Sequence, residues 1–200
     1  MKILFINFFL IFEIIFAKYI SKSIEMERNT KQKLILKNLK SKDYNTVLEA
    51  IKDARKDGDV NILKQILLIL DETSNTQIKE EIIKLIKDLR FSNGVPYIIK
   101  YISESRNETN RYEIISACWQ SNLDFSKHLD IFNKIVIADE YKVAIEAFTV
   151  IEQAIERSKP EKKLIDESMN YLKNSISKCD EDKQALIMEL IKTYEKAYAR

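Results

Sequence analysis

Apolar residues recur along this chain at the spacing of one helix face. In the segment 139–153, DEYKVAIEAFTVIEQ, small and branched apolar side chains follow an i, i+4, i+7, i+8 order, which places them on a single stripe of a helix. Similar stripes occur three more times upstream, so the pattern predicts a helical repeat array. The four stripes contain Val143, Ala147, Val150 and Ile151; Val47, Ala50, Ile51 and Ala54; Ile78, Ile82, Leu85 and Ile86; and Tyr112, Ile115, Ser116 and Trp119.

The stripes are regularly spaced. Their first residues, Val47, Ile78, Tyr112 and Val143, are separated by 31, 34 and 31 positions. An offset of 35 also aligns IKDAR, which begins at residue 51, with IKDLR, which begins at residue 86. Periods of this length are typical of a solenoid, in which each helix pair buries its apolar face against its neighbours.

Turn residues divide the array into helix pairs. Gly58 is expected to take the left-handed conformation that ends a helix, and Asp59 to accept hydrogen bonds from the first amides of the next helix. Pro96 falls in a first helical turn, where its missing N–H is harmless. The predicted helices cover residues 31–39, 45–56, 60–70, 77–91, 95–103, 111–120, 125–137, 141–157, 162–176 and 182–197.

The composition favours an all-helical fold. Among the 200 residues there are only two glycines and two prolines, so β-hairpins and glycine-rich phosphate loops have almost no residues to be built from. Charged residues make up 32% of the chain, with both signs interspersed and a net charge of +2, which is typical of a solvated helical surface. We interpret Cys118 and Cys179, which are far apart in the sequence, as small core residues without a disulfide.

The N-terminal segment differs from the array. Residues 1–17, MKILFINFFLIFEIIFA, form an apolar run that Asn7 and Glu13 interrupt. The run resembles a signal peptide. However, Glu13 lies inside its apolar core, and Ile15 stands where a small residue is expected before a cut after Ala17.

Three interpretations therefore stay open for residues 1–25: an export signal, a membrane anchor, or a misassigned start with translation beginning at Met26. The third predicts a cytoplasmic protein, whereas the first two predict that residues 1–17 export the protein or anchor it in a membrane. In each case residues 26–200 are the predicted helical repeat domain.

Each unit resembles a HEAT repeat, with an apolar first helix, a short turn that carries Asp or Asn, and a second helix with a V-x-x-x-A-x-x-apolar stripe. The best match is the segment 131–151, and the resemblance covers about residues 31–157. It implies an all-α, right-handed α-α superhelix of about five helix pairs, armadillo-like in its architecture. The units are shorter than the ~40 to 47 residues usual for this class. The arginine that often follows the valine of the stripe is replaced by Leu48, Lys79, Glu113 and Ala144.

Candidate chemistry is sparse. His128 is the only histidine, and it falls in the packing column of Leu63 and Ile98. No Cys, Asp or second His stands near it at metal-ligand spacing, and Ser126 points off its helical face. We therefore predict no catalytic residue, no metal site and no cofactor.

The resemblance implies that the second helices line the concave side of the solenoid, which is the usual ligand surface. We predict a non-catalytic scaffold that binds a protein or peptide partner there. Trp119 has a second interpretation as a core residue, because it shares the column of Ala54, Leu85 and Val150. The candidate partner-binding residues are Lys52, Lys84, Lys87, Glu113, Trp119, Gln120 and Glu146.

Two other functions are weighed against this one. The first is an enzyme that resembles the HEAT-like alkylpurine DNA glycosylases, or a related DNA-binding protein. It would need a strongly basic concave stripe, which Asp53, Asp88, Glu113 and Glu146 interrupt. The second is a tetratricopeptide-like peptide-binding adaptor, whose Trp-x-x-Leu-Gly-x-x-Tyr pattern is absent here. A membrane is a partner only if residues 1–25 act as an anchor.

Overall fold

The computed structural model describes the backbone of residues 2–198 and the side chains of residues 16–197. Within this range the chain forms ten α-helices, three short 3-10 helices and no strand. The α-helices are α1 (Lys2–Asn38), α2 (Tyr44–Asp57), α3 (Val60–Glu72), α4 (Thr76–Lys87), α5 (Val95–Glu104), α6 (Glu108–Gln120), α7 (Leu129–Ala138), α8 (Tyr141–Ser158), α9 (Lys162–Ser175) and α10 (Glu181–Tyr198).

The helices form two layers. The second helices of successive pairs, α2, α4, α6, α8 and α10, contact one another in chain order. In the other layer α1, α3 and α5 contact in order, as do α7 and α9. The two helices of each pair also pack together, from α1 with α2 to α9 with α10. This stack of five helix pairs confirms the predicted all-α solenoid, in which each pair buries apolar surface against its neighbours.

Side-chain caps determine where several helices begin. Asp43, Asp59, Asn75 and Asn107 each accept hydrogen bonds from backbone amides in the first turns of α2, α3, α4 and α6. These amides have no partner inside their own helix, so a carboxylate or amide oxygen at the cap stabilises the helix start. The role predicted for Asp59 is confirmed.

The predicted stripes of the first, second and fourth units are buried. In α2 Val47, Ala50, Ile51 and Ala54 are all buried, and the corresponding residues of α4 and α8 are buried as well. Cys118 and Cys179 are both free thiols, the first buried and the second half-buried. Burial raises the pKa of the Cys118 thiol far above its usual range, as expected of a packing residue.

Two predicted helices have different lengths in the structure. The helix predicted at 31–39 is the last part of α1, which is 37 residues long. The helix predicted at 77–91 ends at Lys87, and the 3-10 helix Ser92–Gly94 follows. A Cβ atom on Gly94 would lie 3.0 Å from the side chain of Leu63, so this tight turn brings the backbone close to the core.

The helix predicted at 125–137 also begins later than expected. The 3-10 helix Ser126–His128 precedes α7, and the carboxylate of Asp124 accepts a hydrogen bond from the amide of Ser126 at 2.9 Å. This local cap stabilises a turn rather than a helical start at residue 125. His128 is therefore half-buried immediately before α7.

Gly58 ends α2 by a different route from the one predicted. Its φ of −67° and ψ of 157° are extended rather than left-handed. The amide donates to the carbonyl oxygen of Ala54 at 2.9 Å, and a Cβ atom on Gly58 would lie 2.2 Å from that oxygen. Glycine is required here by a close backbone approach, not by its freedom at positive φ.

The stripe predicted for the third unit is wrong in register. Ile115 is buried, but Tyr112, Ser116 and Trp119 are only half-buried. The buried face of α6 instead contains Asn110, Ile114, Ile115, Ala117 and Cys118. A polar residue, Asn110, fills the column that Val47, Ile78 and Val143 fill elsewhere, so apolar periodicity alone misplaces this helix.

Helix α1 only partly belongs to the stack. Every residue from 16 to 31 is exposed, whereas Ile35 and Leu39 are buried against the array. Among the residues with described side chains, no helix has both the length and the apolarity needed to cross a membrane. The side chains of residues 1–15 lie outside the described part of the chain, so the three interpretations of residues 1–25 stay predictions.

Candidate protein-binding surface

A cleft, which we call the open junction, lies between side chains of the packed helices α4 and α6. Its volume is about 420 Å³, and α4 lines it with residues three or four positions apart, which share one helix face. The floor is apolar and the rim is charged. The lining residues are Leu70, Thr76, Lys79, Glu80, Ile83, Lys84, Lys87, Thr109, Asn110 and Glu113.

One buried and three partly buried hydrogen bonds hold this cleft in shape. The amide nitrogen of Asn110 donates to the carbonyl oxygen of Leu70 at 2.9 Å, and its oxygen accepts from the amine of Lys79 at 3.1 Å. The hydroxyl of Tyr101 donates to the carboxylate of Asp71 at 2.5 Å, and Asp71 also accepts from Asn110 at 3.4 Å. Burial, with the Asp71 hydrogen bond, raises the pKa of Tyr101 far above its usual range. This network links α3, α4, α5 and α6 beneath the cleft.

Charges on the rim of the open junction are incompletely paired. Glu81 is 9% exposed and lies 2.5 Å from the guanidinium of Arg55, whereas Lys84 reaches the same carboxylate only at 3.6 Å. Within the described part of the chain, neither Lys87 nor Glu113 forms an ion pair. The rim therefore presents charged groups of both signs to whatever enters the cleft.

Helices α6 and α8 meet differently, in what we call the closed junction. The indole nitrogen of Trp119 donates to one carboxylate oxygen of Glu146 at 2.6 Å, and the hydroxyl of Tyr112 contacts the other at 3.4 Å. The amine of Lys142 lies 5.8 Å from the centre of the Tyr112 ring. The Glu146 carboxylate is the main cause that raises the pKa of Tyr112. Only about 10 Å³ is left beside Trp119.

Two other cavities in the described part of the chain contain polar groups that pair with one another. A depression of about 330 Å³ at the N-terminal edge of the closed junction contains Arg111 and Asp139, which form an ion pair at 2.5 Å. A groove of about 530 Å³ lies between α3 and α5, in the first-helix layer. There the amine of Lys64 sits 4.4 Å from the Tyr97 ring centre.

The structure divides the predicted partner-binding residues into groups. Lys84, Lys87 and Glu113 all line the open junction. Trp119 and Glu146 are bonded to each other in the closed junction. The two remaining candidates make local contacts: Lys52 pairs with Glu49 at 2.7 Å, and the amide of Gln120 bonds to Ser116 in its own helix.

Lys79 and Asn110 belong to the cleft but were not among the sequence-based candidates. Asn110 falls three residues after the cap Asn107, as Ile78 falls three residues after the cap Asn75. Aligning the caps instead of the apolar residues would have placed Asn110 in the buried column. The contact between Lys79 and Asn110 joins residues 31 positions apart and has no local signal in the sequence.

The described residues offer few groups for catalysis or metal binding. They include no cluster of three His, Cys, Asp or Glu side chains placed to hold a metal ion. Desolvation lowers the pKa of His128, so its neutral form is favoured at physiological pH. What the described surface offers is an extended set of charged, hydroxyl and apolar groups.

Comparison with solved structures gives a structural likeness. No protein-family model and no curated protein sequence matches the chain. Among solved structures, it is similar to a designed armadillo repeat protein, YIII(Dq)4CqI, with a TM-score of 0.44 and 11% identity over 80% of each chain. The two-layer solenoid is shown by the helix contacts within this chain.

Proposed function

We propose that this protein is a non-catalytic repeat scaffold that binds a protein or peptide segment in the open junction between α4 and α6. The observation that carries the proposal is the charged rim of the cleft, where Lys87 and Glu113 have no ion-pair partner among the described residues. At the neighbouring closed junction Trp119 and Glu146 bond to each other. An extended segment with charged side chains would form ion pairs with Lys87 and Glu113 at the open junction. At the closed junction it would meet Trp119 and Glu146, which are already bonded.

The size and lining of the cleft suit such a segment. A volume of about 420 Å³ lies within the range of ligand pockets, ~300 to 1,000 Å³. Leu70 and Ile83 supply apolar contact, and Thr76 and Thr109 supply hydroxyls. Because Asn110 is only 2% exposed and fully bonded to its neighbours, the site is formed before a partner arrives, which lowers the cost of binding.

Carboxylates favour a protein partner over nucleic acid. Glu80 and Glu113 face the same cleft as Lys84 and Lys87. A nucleic-acid groove needs a continuous basic surface to neutralise phosphates, and acidic residues in its path repel them. A mixed surface is better suited to a peptide with charges of both signs.

The test is selection of short random peptides, displayed on phage, against the immobilised full chain. Enriched peptides should bind in solution and lose about tenfold in affinity on the double variant Lys84→Glu/Lys87→Glu. Circular dichroism should show unchanged helicity in that variant, since both side chains lie on the rim of the cleft.

The matched control is Lys100→Glu/Lys134→Glu. These lysines have 66% and 59% of their side chains exposed, against 58% for Lys84, and they lie on α5 and α7 in the other layer. The control applies the same change in net charge, so binding should stay unchanged. The proposal fails if no peptide is enriched, or if the two double variants weaken binding equally.

A further inference from the structure

A second surface lies on the part of α1 that extends beyond the stack. Five exposed large apolar side chains occur within eleven residues of this helix, more densely than anywhere else in the described chain. Such a group marks an interaction site, because water-soluble surfaces rarely gather so many apolar side chains. They are Phe16 at 55% exposure, Tyr19 at 73%, Ile20 at 42%, Ile24 at 61% and Met26 at 67%.

These side chains share one face of the helix. Tyr19, Ile20 and Ile24 follow Phe16 at offsets of three, four and eight residues, so they form a continuous stripe along the axis. Lys18 and Lys22 fall on the opposite face. Residues 16–26 of α1 are therefore amphipathic, with apolar and aromatic side chains on one side and lysines on the other.

The helix is basic, whereas the rest of the protein is not. Residues 16–38 contain six basic and two acidic residues, a net charge of +4, although the whole chain carries only +2. The stacked helices are thus slightly acidic overall. A concentration of positive charge beside an apolar stripe is the composition that binds anionic lipid headgroups.

The sequence pattern separates a lipid surface from a second copy of this helix. A two-stranded coiled coil starting at Phe16 would place Ser23 and Thr30 at the following a positions, where apolar residues are needed. Upstream of Phe16 the sequence instead continues with the apolar run of residues 3–15, which Asn7 and Glu13 interrupt. Apolar character therefore increases toward the N-terminus along the same chain.

We propose that residues 16–26 of α1 lie in the interface of an anionic lipid bilayer, with Phe16, Tyr19, Ile20 and Ile24 toward the acyl chains. The lysines on the opposite face then meet the headgroups. Residues 31–38 join this helix to the stack, so the repeat array is held beside the membrane. This role is independent of the open junction, which lies between α4 and α6.

The first experiment measures binding of the full chain to vesicles of phosphatidylcholine with roughly 30 mol % phosphatidylglycerol, by co-sedimentation. The double variant Ile20→Ser/Ile24→Ser should bind about tenfold more weakly, because binding scales with buried apolar area. Its matched control is Leu68→Ser/Met188→Ser, which removes two apolar side chains of 57% and 50% exposure from other helices. The control should bind as the unmodified chain does.

A second experiment reports on residue 19 directly. In a Tyr19→Trp variant that also carries Trp119→Phe, so that only one indole is present, vesicles should shift the emission to the blue, and brominated lipids should quench it. The inference is wrong if this emission does not respond to vesicles, or if both double variants bind equally. It is also wrong if the native protein begins at Met26 or downstream of it, or if Ile20→Ser/Ile24→Ser dissociates a dimer while leaving vesicle binding unchanged.

Discussion

The two faces of helix α6 meet their neighbours in opposite ways. Toward α4, the buried Asn110 supports a cleft of about 420 Å³ whose rim carries charged groups. Toward α8, Trp119 bonds to Glu146 and leaves about 10 Å³ beside its ring. The depression of about 330 Å³ at the N-terminal edge is bridged by the ion pair of Arg111 and Asp139. A large aromatic side chain fills the space between second helices, whereas a small amide beneath the surface leaves it open. The difference shows how neighbouring junctions of a regular stack can differ in the charged groups that they leave unpaired.

The same comparison changes the meaning of two sequence-based candidates. Trp119 and Glu146 stand on the predicted ligand face, yet each satisfies the other's hydrogen-bonding group. Because the indole N–H has a carboxylate partner within the chain, we expect this pair to hold adjacent units together more than it contacts a partner. Lys84, Lys87 and Glu113 remain the candidates for recognition.

The largest expected effect is on the closed junction. Trp119→Ala should lower the free energy of unfolding by about 3 kcal/mol, because it removes a packed ring and leaves Glu146 without its donor. Chemical denaturation monitored by circular dichroism measures it. Trp119→Phe keeps most of the ring and should cost about 1 kcal/mol. If Trp119→Ala leaves the stability unchanged but abolishes partner binding, Trp119 is a binding residue and not a structural one.

The next effect is on the open junction. Asn110→Ala should destabilise the protein by about 2 kcal/mol, since the carbonyl of Leu70 and the amine of Lys79 lose a buried partner. Asn45→Ala, at an exposed position of α2, is the control and should change stability little. Equal stability of the two variants would mean that Asn110 does not support the cleft.

A smaller effect is expected at the rim of that cleft. Lys87→Glu should lower the free energy of unfolding by about 1 kcal/mol or less, because the amine has no ion-pair partner among the described residues and interacts only with the C-terminal end of α4. Thermal unfolding checks this. A loss as large as that of Asn110→Ala would show that Lys87 is a structural residue and would remove it from the binding surface.

The smallest effect concerns His128, which lies outside both junctions. Desolvation lowers its pKa from an ordinary value near 6.5, so the unfolded chain takes up the proton more readily than the folded one. Its contribution to stability is therefore unchanged above pH 6.5 and declines as the pH falls below it. Relative to a His128→Gln variant, the native chain should lose stability on acidification. Parallel pH curves for the two proteins would contradict this.

Sequence periodicity predicted most of the fold but little of the contact chemistry. Stripes such as Val47, Ala50, Ile51 and Ala54 are local, and burial of such stripes determines how helix pairs stack. Asn110 is missed because a buried polar residue has the same local signature as a solvated one. The bond between Trp119 and Glu146 spans 27 residues and exists only once α6 packs against α8.

The most direct measurement of the central claim is amine labelling of lysines, followed by mass spectrometry, with and without a selected peptide. Lys84 and Lys87 should become about tenfold less reactive when the peptide is bound, because it would cover the rim of the open junction. Lys100 and Lys134, on the other layer, should react as before. Binding at the open junction is contradicted if the peptide protects only Lys100 and Lys134, or if it changes the reactivity of all four lysines equally.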